Sequence, residues 1–194
     1  MSLTVYSWLI YLCWLIFAAV WAATAFRAKR SIRDVHLRQR EIVGRLVLVV
    51  VVVLLVHFIS NGHGLRGLQP YAVIRSPIAG PVGAALCVLG AGIAIAARLY
   101  LGRNWGMPMA RKENPELVTK GPYAIVRHPI YTGILLILLG SAIGATVVFA
   151  LPLVVSAPYF VYSARREERL MTEQFPEQYP AYMKQTKMLV PYLL

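Results

Sequence analysis

Arg127, His128, Pro129 and Tyr131 stand together where a long uncharged stretch begins, with Tyr123 just ahead of them. Pro129 disfavours helix for the residue before it and suits the first turn of a helix that follows. His128 is therefore expected at a helix N-terminus, beside backbone N–H groups that have no carbonyl behind them. Those amides, the Arg127 guanidinium and the two phenols would form a pocket for an anion such as a carboxylate or phosphate. Farther on, Glu167 and Glu168 abut Arg165, Arg166 and Arg169 in a chain with only 8 acidic residues. A carboxylate folded against the His128 loop would receive a cation, so the two halves together describe a zwitterionic ligand. The plainer readings are interfacial Arg, His and Tyr anchors on one side and surface ion pairs of little energetic weight on the other.

The elements that must hold these residues are membrane helices. Of the 194 residues, 58% are hydrophobic and only 14% charged, and the mean hydropathy is +0.60, against roughly 25% charged residues in an average soluble domain. Apolar stretches recur at residues 5–26, 42–60, 77–97 and 130–162. The first three approach the ~20 residues a helix needs to cross ~30 Å of hydrocarbon. The first is read as a permanent anchor rather than a cleaved signal, because no Lys or Arg precedes it and a basic cluster follows.

The net charge of +12 would suit a nucleic-acid partner, but its distribution follows topology instead. Arg27, Lys29, Arg30, Arg33, Arg38, Arg40 and Arg45 crowd the first loop, Arg103, Arg111, Lys112, Lys120 and Arg127 the third, and Arg165, Arg166, Arg169, Lys184 and Lys187 the tail. The second loop carries only Arg66 and Arg75. By the positive-inside rule the rich segments are cytoplasmic, with some attraction to anionic lipid headgroups. The N-terminus then lies outside and the C-terminus inside. No nucleic-acid partner is expected.

The uncharged run 130–162 would reach ~50 Å as one straight helix, well beyond the hydrocarbon thickness. Basic residues flank both of its ends, so both ends are cytoplasmic and the run must turn back, with Gly140-Ser141-Ala142-Ile143-Gly144 as the expected bend. The fold class is thus an all-α integral membrane protein of about five transmembrane helices, the last two a tight hairpin, with a cytoplasmic cap of loop and C-terminal helices. Residues 1–194 are read as one membrane domain, with three N-terminal helices in 1–100 and the loop, hairpin and C-terminal helices in 101–194. Residues 163–174 have helical spacing, and Pro176 is expected to start a second short helix through about Gln185.

Other motifs weigh less. Gly90-Ala91-Gly92 follows no strand, and close helix packing explains it better than a dinucleotide loop. His57 and His63 match no common metal-ligand spacing, and no metal site is expected. Cys13 and Cys87 lie singly in apolar segments and read as small buried residues.

The chain resembles the isoprenylcysteine carboxyl methyltransferase family, whose fold is shared more loosely by phospholipid N-methyltransferases. The resemblance rests on Gly102-Arg103-Asn104-Trp105, Leu117-Val118-Thr119 with Gly121-Pro122-Tyr123, Arg127-His128-Pro129 with Tyr131 and Gly133, and Glu167-Glu168 followed by Leu170, Phe175 and Tyr179. It implies a membrane methyltransferase with S-adenosylmethionine as donor, bound between the third cytoplasmic loop and the C-terminal helices. The implied cofactor contacts are Glu116, Leu117, Val118, Tyr123, Arg127, His128, Pro129, Ile130, Tyr131 and one or both of Glu167 and Glu168. The methionine part of that donor carries a carboxylate and an ammonium, in accord with the zwitterionic pocket. In eukaryotic members an arginine one turn before the first acid engages a prenylcysteine carboxylate; here that position is Ser163.

The expected acceptor is lipophilic, a small molecule or a lipid-modified substrate presenting a carboxylate, thiol or amine at the inner face of a microbial cytoplasmic membrane. With an anionic acceptor the transfer needs positioning and a dry site more than acid or base catalysis. With an amine or hydroxyl, His128 or Glu168 becomes a possible base, and Arg166 a further catalytic candidate. Two other readings are an NADPH-dependent sterol-type membrane reductase, which shares the Arg-His-Pro-x-Tyr element, and a non-catalytic protein of the same fold.

Overall fold

The computed structural model describes residues 3–25, 31–32, 74, 76–102, 111–112 and 116–191. Its helices are α1 (Leu3–Ala25), α2 (Ala79–Leu101), α3 (Pro129–Gly144), α4 (Ala150–Gln174) and α5 (Gln178–Gln185). Three described segments are long and apolar enough to cross a membrane: Val5–Thr24, Ala79–Leu101 and Val147–Gln174; Pro129–Gly144 is a shorter apolar helix. The protein is an all-α integral membrane protein. The expected crossing at 42–60, His57, His63 and the Arg103-Asn104-Trp105 segment lie outside the described residues.

Among the described helices, packing between α2 and α3 is the tightest, and glycine is the reason. A Cβ on Gly83 would lie 2.6 Å from the Gly140 carbonyl oxygen and 2.4 Å from the Gly144 Cα; one on Gly90 would lie 2.6 Å from the Gly133 oxygen. Small residues allow backbones this close where lipid offers no hydrophobic drive for helices to associate. Gly90 thus meets the packing expectation, whereas a Cβ on Gly92 would have nothing within 4 Å.

The pairing Gly83 to Gly144 and Gly90 to Gly133 makes α3 antiparallel to α2. Helix α1 runs the same way as α2: Tyr6 lies against Gly80 near their starts, and the Arg98 guanidinium donates from Nη2 to the Thr24 carbonyl near their ends, at 2.6 Å. Arg98 is 1% exposed and also donates from Nη1 to the Gly102 carbonyl at 3.1 Å, so one buried cation satisfies carbonyls at two helix C-termini. At this same end a two-residue antiparallel pairing of β1 (Ser31–Ile32) with β2 (Arg111–Lys112) joins the loops after α1 and α2. Cys13 and Cys87 are buried free thiols, as expected. Cys87 Sγ donates to the Ile137 carbonyl at 3.3 Å, and Trp14 Nε1 to Ser141 Oγ at 3.1 Å.

The hairpin forms, but its bend is later than expected. Helix α3 continues through Gly144, and the reversal occupies Ala145, Thr146 and the 3-10 turn Val147–Phe149. Gly140 and Gly144 face α2 as close-contact residues; their lack of side chains serves packing and leaves the helix unbroken. Thr146 supplies the turn, its side chain accepting from the Val148 amide at 3.4 Å. The 16 residues of α3 reach ~24 Å, short of a full bilayer core. The expected separate helix over 163–174 is instead the continuation of α4, a single helix of 25 residues with Pro158 inside it. Helix α5 starts two residues after Pro176 and ends at Gln185 as expected.

Candidate functional site

The site grows from the loop between α2 and α3. Gly121 has φ +63°, and a Cβ there would lie 2.7 Å from the Tyr100 ring, so the turn both uses a left-handed conformation and sits close on α2. Pro122 then opens the 3-10 turn Gly121–Ala124. This buries Tyr123, whose hydroxyl donates to the Ala97 carbonyl at 3.5 Å. The Tyr182 hydroxyl of α5 donates to the Tyr123 carbonyl at 2.5 Å. Burial raises the pKa of both phenols; that of Tyr182 is pushed up to about 12, with the Thr186 hydrogen bond and Arg127 pulling the other way. Both remain protonated donors near neutrality.

His128 is the N-cap of α3, with φ −125° and ψ 60°, and Pro129 is its first residue. The first backbone bond of the helix runs from the Thr132 amide to the His128 carbonyl at 3.1 Å. The Ile130 amide, in the first turn of the helix, therefore has no carbonyl behind it within the helix. This is the geometry expected from Pro129.

Helix α4 brings its two acids to this point, one on each side of the imidazole. His128 Nδ1 lies 3.7 Å from Glu167 Oε2, and Nε2 lies 3.4 Å from Glu168 Oε1. The acids differ in environment. Glu168, with its side chain 8% exposed, takes Arg127 Nε at 2.6 Å; an ion pair this short and this buried keeps its carboxylate charged and occupied. Glu167 is 24% exposed at its side chain and accepts from the Tyr131 hydroxyl. The rings of His128, Tyr131 and Phe160 form a continuous stack, with centroids 5.5 Å and 4.7 Å apart and planes within 10° and 7°. Ser163, one turn before Glu167 on α4, is fully buried, and its hydroxyl has no hydrogen-bond partner among the described residues.

Arg127 holds three elements at once. Besides Glu168, its Nη1 donates to the Met183 carbonyl at 3.3 Å and to the Thr186 carbonyl. Its guanidinium is committed to protein groups. Of the other residues singled out in the sequence, Leu117 and Val118 are half-buried and Glu116 exposed at the start of the loop, and Pro129 is fully buried. Arg166 is not brought to the cluster: it is exposed and donates to the Tyr162 hydroxyl at 3.4 Å. A groove of about 470 Å³ lies beside the cluster between α4 and α5, lined by Arg165, Glu168, Arg169, Thr172, Glu173 and Met183.

Sequence reasoning passed over Phe160, Thr132, Tyr182 and the segment after α5. Phe160 was readable from its helical spacing to Ser163 and Glu167. The segment after α5 acts through backbone carbonyls, which no residue type signals.

A family model described as phospholipid methyltransferase matches residues 78–178, just over half of the chain and the whole of the α2, α3 and α4 region. The cobalt-zinc-cadmium resistance protein CzcN of Cupriavidus metallidurans is 32% identical over 113 residues, covering 56% of this chain and 49% of that protein. The chain therefore matches about half the length of this curated relative.

Proposed function

Because the chain belongs to the phospholipid methyltransferase family, we propose that it transfers a methyl group from S-adenosylmethionine to a lipophilic acceptor at the cytoplasmic face of a microbial inner membrane. The observation that carries this reading is the pairing of a helix N-terminus with a partly exposed carboxylate across one imidazole. The first-turn amides of α3 fit an amino-acid carboxylate. Glu167, the more accessible acid, fits an ammonium. The residues present thus match both charges of the methionine part of the donor.

When bound, the donor supplies an electrophilic methyl on a sulfonium. The chain's own residues do the rest. Glu168 and Arg127 neutralise each other and fix the face that His128 presents. The stacked Tyr131 and Phe160 rings would wall one side of the site against water. For a carboxylate or thiolate acceptor no proton moves, and positioning is the main contribution. For an amine or hydroxyl acceptor, His128 with Glu168 at 3.4 Å takes up the proton released as the new bond forms. Ser163 supplies a neutral hydroxyl in place of the arginine of the eukaryotic resemblance, so a prenylcysteine carboxylate has less to recommend it than a neutral or amine lipid.

Calorimetric titration of the purified protein with S-adenosylhomocysteine tests the reading. Binding should appear in the unmodified chain and weaken by tenfold or more, ~1.4 kcal/mol per decade, in Glu167→Gln and His128→Ala. No heat, or equal binding in all three, overturns it. Protection against thermal unfolding by NADPH but not by S-adenosylhomocysteine would move the reading to a reductase.

A further inference from the structure

The segment that follows α5 lies along the His128 loop. Residues Val126 and Lys187 form a parallel bridge, the Arg127 amide donates to the Lys187 carbonyl at 2.8 Å, and the His128 amide donates to the Met188 carbonyl at 3.0 Å. Thr132 Oγ1 lies 2.6 Å from the Leu189 carbonyl oxygen and 3.2 Å from that of His128. Leu189 is 3% exposed, which anchors the strap by apolar burial. Tyr182, at the head of this segment, holds the Tyr123 carbonyl.

We propose that this strap, residues 186–190 with Tyr182, positions the donor-binding end of α3, and that Thr132 and Tyr182 are positioning residues for the reaction although neither reaches the ligand. The geometry favours this over passive docking of a chain end. The Arg127 and His128 amides precede the helix and gain no partner within it; the strap provides both partners. Thr132 joins the strap to the first turn of α3. Tyr182 and Arg127 tie the same strap to Tyr123 at the other end of the loop and to Glu168 on α4. The N-cap, the imidazole and the acid pair are thus set relative to one another through one short segment. A binding constellation loses much of its effect when its parts shift by about an ångström.

The role rests on the donor reading above, and the experiment separates the two. Full-length Thr132→Val, Thr132→Ser and Tyr182→Phe are compared with the unmodified protein by S-adenosylhomocysteine calorimetry, by hydrogen exchange of the 126–132 amides and by thermal unfolding. Expected are faster exchange and an affinity loss of about five- to tenfold in Thr132→Val and Tyr182→Phe, near-normal values in Thr132→Ser, and a fall in unfolding temperature in the first two no larger than one lost buried hydrogen bond explains. Binding by the unmodified chain with equal binding in Thr132→Val and Tyr182→Phe overturns the strap's role while leaving the donor reading intact. No binding by the unmodified chain overturns the donor reading, and the role with it.

Discussion

Glu167 and Glu168 are adjacent in sequence yet do different work. Both were legible as candidate site residues because acids are scarce in this chain. Their division of labour was not, since it depends on which acid the Arg127 guanidinium reaches. Glu168 is the structural one, and losing one member of a buried pair strands the other charge. Glu168→Met and Arg127→Met should therefore each destabilise the protein by ~3–5 kcal/mol, whereas the double variant should lose less than their sum; a double-mutant cycle of unfolding temperatures decides this. Additive losses would sink the pairing. Tyr182 gives a pH signature. Its folded value of about 12 exceeds the ordinary ~10, so its contribution is complete below pH ~10 and is lost as pH rises through about 12. Tyr182→Phe should lack this loss: the alkaline drop in unfolding temperature between those limits should be smaller than in the unmodified chain.

At the scale of elements, the sequence announced α1, α2 and the hairpin through apolar length and flanking charge. It placed the bend a few residues early because glycine has two uses, to break a helix or to let two helices touch, and only the partner helix distinguishes them. Gly140 and Gly144 serve the second use against Gly83. Gly83→Ala should consequently lower the unfolding temperature in detergent, since the added carbon meets backbone. Gly92→Ala should leave it unchanged or raise it, by the ~1 kcal/mol helix preference of Ala over Gly. Equal effects at the two positions would contradict the packing described here. The strap was not legible, because Lys187, Met188 and Leu189 are joined to the site through carbonyls rather than through side-chain chemistry.

The whole molecule is a membrane bundle whose α2 C-terminus, α3 N-terminus and α5 gather at one end. The paired loops after α1 and α2 leave at that same end, as the distribution of basic residues leads one to expect for a cytoplasmic face. A cysteine introduced at exposed Lys187 should react with an impermeant maleimide in inside-out vesicles and not in right-side-out ones. The reverse pattern would invert the topology. That face is where a donor from the cytoplasm and an acceptor from the lipid would meet, and the family relation makes methyl transfer the reaction to seek there. The most direct measurement is to incubate the purified, lipid-reconstituted protein with methyl-labelled S-adenosylmethionine and total membrane lipid, and to follow the label by mass spectrometry. The account predicts one lipophilic product class carrying the label, lost in His128→Ala and Glu167→Gln. Donor that stays unconsumed across the whole lipid extract, with S-adenosylhomocysteine still bound, would contradict it.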